Sequence, residues 1–196
     1  MLLLGYARSG DMQNAEGVLD MMTSSQLEPS SVTYRTLLET YAEKGDMESV
    51  RRVMEMAKAK GIQLSDTDLF DIVLAMTAKG HKQYAQELMA QLRRTPGFLH
   101  DALNTSLRLI DNGADDVGFD LLTSLNVPKD LNDRSGFGVM FLRKMIRYGA
   151  PLDTVWKNAE ELKTKQLNPW AFERVLEAAF HVSIHEFLAL EVIIVV

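Results

Sequence analysis

One pattern occurs twice in this chain, and its period constrains the fold more than any other feature. Leu2, Leu3, Tyr6, Ala7, Gly10, Asp11 and Met12 are matched by Leu37, Leu38, Tyr41, Ala42, Gly45, Asp46 and Met47, each 35 positions further on. Gly80 stands another 35 beyond Gly45. Self-similarity at a fixed period of this length marks an array of supersecondary units, none of which buries its apolar side alone. The function of such a chain belongs to the extended surface that its stacked units present. A chain of 196 residues holds five to six units, and 46% hydrophobic residues suffice for a packed core.

Each unit reads as two helices. In the second, Leu37, Leu38 and Tyr41 recur at helical spacing, which predicts a first helix over 32–44. Ser30 or Ser31 supplies its N-cap. Gly45 reverses the chain and Asp46 caps the second helix, which runs to about residue 60. Val50, Val53 and Met54 on that helix align with Ala15, Val18 and Leu19 one unit earlier and with Ala85, Leu88 and Met89 one unit later. The apolar register thus outlasts the identity. Residues 1–95 hold two and a half well-matched units, at 1–30, 31–65 and 66–98. Thr95-Pro96-Gly97 breaks the third unit, 99–169 reads as two degenerate helix pairs, and 170–196 as a partial terminal repeat with an apolar tail. The polar stretch 127–136 reads as an irregular linker. Met1 occupies the place of Thr36 within a unit, so the chain reads as a piece of a longer protein, with any targeting segment upstream.

The segment V-T-Y-R-T-L-L-E-T-Y-A-E-K-G-D-M (32–47), the exit K-G-I-Q-L (60–64) and the L-E-P at 27–29 resemble the pentatricopeptide (PPR) repeat. The competing tetratricopeptide repeat has a period of about 34 and favours a Trp early in its first helix. Three glycines in step at 35 and the lack of a repeated Trp favour the PPR pattern. The resemblance implies an all-α fold, a right-handed α-solenoid of two-helix repeats of about 35 residues. It also implies single-stranded RNA binding, with the first helices lining the concave face and two or three side chains reading roughly one base per unit. The degenerate later units and Y-A-E-K-G-D resemble more narrowly the leucine-rich animal branch of the family. That branch implies a mitochondrial stabiliser of messenger RNA, acting in post-transcriptional regulation with a small RRM-type RNA-binding protein. Nucleus and cytoplasm are the other compartments it allows.

The family's reading positions fall on Val32, Arg35 and Ser65 in the second unit, on Thr67 and Phe70 in the third, and on Ser30 at the end of the first. Val32 fits the apolar wedge of the family pattern. Arg35 and Phe70 depart from the Ser, Thr or Asn of the fifth position, so no base-by-base code is expected. Arg35 is instead a candidate for phosphate binding or stacking, and Phe70 for stacking. The plainer alternatives are a solvated arginine and a core phenylalanine. Arg8 and Arg147 stand two residues before Gly10 and Gly149, where a cation would face an RNA backbone, although Glu43 and Ala78 interrupt that track. Arg174 aligns with Arg35 when the later units are registered by their turns.

Charge argues the other way. A net charge of −6 and a pI near 5.2 oppose bulk attraction to nucleic acid or an anionic membrane. They favour the rival function, a protein–protein scaffold whose grooves dock a partner without touching RNA. Enzyme chemistry finds no support. There is no cysteine, hence no disulfide or thiolate metal site. His181 and His185 lack a third ligand, and His81 reads as a cap substitute at a turn. Ser135-Gly136-Phe137-Gly138 lacks the strand-then-helix setting of a phosphate loop. Asp115-Asp116 and Glu160-Glu161 are adjacent on helices, so their carboxylates diverge and form no acid–base dyad. No cofactor, metal, membrane span or small-molecule substrate is expected.

Overall fold

The computed structural model describes residues 2–95, 97–125 and 136–165. The expectations for the linker up to residue 135, for Arg174, for His181 and His185, and for the partial repeat 170–196 lie outside the described residues. Among the described residues there are ten α-helices and no strand. They are α1 (Leu2–Ser9), α2 (Met12–Ser24), α3 (Ser31–Glu43), α4 (Met47–Ala59), α5 (Asp66–Ala78), α6 (Ala85–Met89), α7 (Phe98–Asp111), α8 (Asp115–Thr123), α9 (Phe137–Arg147) and α10 (Leu152–Thr164). The chain is an all-α helical-repeat protein. It divides into two compact units, Met1–Asp101 and Ala102–Val196.

In the first unit α1 pairs with α2, α3 with α4 and α5 with α6, while the first helices α1, α3 and α5 lie side by side. Local chemistry sets these boundaries. Ser30 and Ser65 each form a reciprocal capping box at the start of α3 and α5. Asp11 and Asp46 cap α2 and α4, accepting the amides of Asn14 and Ser49 at 3.1 Å. Tyr34, Leu37, Leu38 and Tyr41 of α3 are buried against Val50, Val53 and Ala57 of α4 and the apolar side of α5. The expected helix over 32–44 is thus observed one residue earlier.

The third pair departs from the pattern. His81 occupies the place of Asp11 and Asp46 but makes no side-chain cap bond, so it is no cap substitute. Without a cap the chain enters through a 3-10 turn, Lys82–Tyr84, into an α6 of only five residues. The imidazole lies instead on the preceding turn, where a Cβ built on Gly45 would stand 2.7 Å from Nδ1. Lys44 makes the comparable reach one unit earlier. Its ammonium donates to the carbonyls of Ala7, at 2.9 Å, and of Arg8, in the last turn of α1.

Asp66, buried at the start of α5, closes the third unit. Its carboxylate accepts the amides of Arg93 at 2.7 Å and Thr95 at 2.8 Å, and the Thr95 hydroxyl at 2.7 Å. Burial alone would raise this carboxyl, but the bonds from Thr95 and Arg93 and the Arg93 charge outweigh it and hold its pKa below the ordinary value.

In the second unit the core gathers Leu109, Leu122, Phe141, Leu142, Val155, Ala159 and Leu162. The rings of Phe119 and Phe141 meet with centroids 6.0 Å apart. At Gly118 a Cβ would stand 2.6 Å from the Ser106 carbonyl oxygen, so the close approach of α8 to α7 depends on a missing side chain. Asp115 and Asp116 sit in the first turn of α8, where the helix dipole favours them.

Candidate nucleic-acid interface

The first-helix layer of the first unit carries most of the positions singled out in the sequence. Val32, early on α3, is 57% exposed. One turn later Arg35 is committed within the fold. Its Nε lies 3.4 Å from Glu39, and its Nη1 lies 3.5 Å from Asp68 and 3.9 Å from Asp71 on α5. Stacking α3 on α5 thus surrounds its guanidinium with carboxylates. Glu39 reports the same crowding. Burial pushes its carboxyl up, Arg35 draws it back, and Asp71, Glu43 and Asp68 push it up again, for a net rise.

Phe70 is 2% exposed and stacks on Phe98 with centroids 5.7 Å apart. Its ring fills core and offers no platform to a base, since the start of α7 covers it. The remaining polar candidates also have local employment. The Ser30 hydroxyl accepts the Thr33 amide at 3.4 Å, and that of Ser65 accepts the Asp68 amide at 3.1 Å. Thr67 donates its hydroxyl to Asp101 at 3.0 Å. Arg8, at the end of α1, and Arg147, at the end of α9, are exposed.

A cluster that sequence reasoning missed lies in the second unit, at the C-terminal ends of α7 and α9. Lys144 binds both carboxylate oxygens of Asp111, at 2.7 and 2.8 Å. Its ammonium also stands 5.5 Å from the centroid of the Tyr148 ring. The nearby Asp111 carboxylate, through hydrogen bonding and then through its charge, raises the Tyr148 phenol pKa. Burial would raise Asp111 itself, but bonds from Lys144 and Tyr148 and the charges of Lys144 and Arg108 hold it below the ordinary range. The signal was present: α9 carries Arg143, Lys144 and Arg147 and no carboxylate, and Arg108 and Lys144 both precede a turn glycine by five positions.

Among the described residues no group of three or more His, Asp or Glu is arranged to hold a metal ion, and no helix is long and apolar enough to cross a membrane.

Stacked two-helix units at this period define a helical-repeat protein. The family model for the pentacotripeptide-repeat region of PRORP matches residues 4–102. The chain belongs to this PPR family. Two relatives carry the name leucine-rich PPR motif-containing protein, mitochondrial. The one from Xenopus tropicalis is 33% identical over 108 residues, 54% of this chain. The one from Mus musculus is 29% identical over 114 residues, 58% of this chain. In each case the matched stretch covers 8% of the relative's length.

Proposed function

We propose that this chain is a segment of a mitochondrial helical-repeat array that binds single-stranded RNA and stabilises messenger RNA. The observation that carries the proposal is the continuous layer formed by α1, α3 and α5, with Val32 exposed at the position where the family places its apolar wedge. Family membership and the mitochondrial designation of the two relatives support it. The contact is tolerant of sequence, because Arg35 and Phe70 at the fifth positions are engaged within the fold. A small RRM-type protein is the partner proposed to share the RNA. The test is a fluorescence-anisotropy titration of the chain with mixed-sequence single-stranded RNA at two salt concentrations. Saturable binding that weakens with salt is expected. Absence of binding at low salt would remove RNA contact from this segment.

A second function, docking of a basic protein surface, is favoured by the carboxylates of Glu39, Asp68, Asp71 and Asp101 along successive first helices. The two readings separate on the double variant Glu39→Gln, Asp71→Asn. RNA affinity should rise if this face meets phosphates, and partner affinity should fall if it meets a basic protein.

A further inference from the structure

The exposed side of α9 follows one helical stripe. Met140, Arg143 and Arg147 are exposed and Lys144 is half-buried, at spacings of three and four residues. Val139, Leu142, Met145 and Ile146 turn the other side into the core. Tyr148 extends the stripe past the helix end with 57% of its surface in solvent. Cations in a last turn are ordinary complements of the helix dipole. That accounts for a charge at Lys144 or Arg147 but not for an aromatic ring left in water beside them. The ring is also held in place. Lys144, itself bound to Asp111, stands over it with the ammonium 5.5 Å from the ring centroid. Arg143 and Arg147 make no ion pair among the described residues. The first unit, by contrast, surrounds its central arginine with carboxylates.

We propose that Tyr148 with Arg143 and Arg147 forms a contact site for single-stranded RNA, the ring stacking on a base and the two guanidiniums binding flanking phosphates. An exposed aromatic beside cations that make no ion pair among the described residues is the combination that binds a single strand without reading its sequence. The stack loses less freedom on binding, because Lys144 over the ring already restrains it. The proposal rests on the RNA-binding function above and locates a contact outside the family's reading positions.

The test uses the whole chain and a fluorescein-labelled mixed-sequence RNA of about 15 nucleotides, a length that spans one site of this kind. In Arg143→Glu, Arg147→Glu the slope of log affinity against log salt should shrink by about 1.4, two phosphates at about 0.7 each. Tyr148→Ala should weaken binding about tenfold, and Tyr148→Phe, which keeps the ring and loses only the hydroxyl, should stay within about twofold. Melting curves check that each variant folds, and the milder pair Arg143→Gln, Arg147→Gln replaces the reversals if they do not. Wild-type binding that these variants leave unchanged would overturn the site and leave RNA binding standing. A wild-type chain that binds no RNA at low salt would overturn both. Equal loss in Tyr148→Phe and Tyr148→Ala would overturn the stack. Displacement of the RNA by polyglutamate at equal charge concentration would overturn it in favour of an acidic protein partner.

Discussion

At φ +71° Gly45 occupies the left-handed region, and the His81 imidazole lies within 3.0 Å of where its Cβ would be. Gly80 has a similar φ of +85° with nothing within 4 Å. Gly80→Ala should therefore cost only the backbone term, about 1 kcal/mol, while Gly45→Ala adds displacement of the ring. Thermal melts should rank Gly45→Ala as the more damaging, and His81→Ala in the same background should recover the difference. Asp66 is the second sensitive residue. Asp66→Ala leaves the amides of Arg93 and Thr95 without their acceptor and should cost about 2 kcal/mol by chemical denaturation. Because its folded pKa is depressed, its contribution is present above the ordinary carboxylate value and is lost as pH falls through the folded value. The stability gap between wild type and Asp66→Ala should accordingly close in acid. Sequence did not single out Asp66, because its partners lie 27 and 29 residues further along the chain.

In the first unit the capped second helices are the long ones. Asp11 and Asp46 begin helices of 13 residues each, whereas uncapped His81 leads into a 3-10 turn and five α-helical residues. Asp46→Ala should cost about 1 kcal/mol in a denaturant melt. His81→Asp should lengthen the third pair's second helix, read as a stronger far-ultraviolet helical signal. The apolar register at Ala85 and Leu88 was legible and both side chains are buried. The loss of helix length was not, because register records which side faces the core and not whether the first amides find an acceptor.

Across the whole molecule a net charge of −6 is spread unevenly. The first-helix layer of the first unit packs carboxylates around Arg35, and α9 in the second unit carries three cations with no acid. Glu39, raised first by its burial and then by the neighbouring carboxylates, makes the cost measurable. Its folded pKa is raised, so the folded state holds its proton more tightly than the unfolded chain does, and stability falls as pH rises from the ordinary value through the folded one. Glu39→Gln should raise the melting temperature at neutral pH, with the advantage disappearing as the medium becomes acidic enough to protonate Glu39.

The period, the pairing of helices, the turn glycines and the caps at Asp46 and at Ser30 or Ser31 follow from the sequence alone, because each depends on neighbours within about four residues or on direct repetition. Tertiary structure alone decided that Arg35 meets Asp68 and Asp71, that Phe70 is covered by Phe98, and that Lys144 binds Asp111. These partners come from different helices, brought together only when one helix pair is laid on the next, so no local window of the chain contains both halves of the contact.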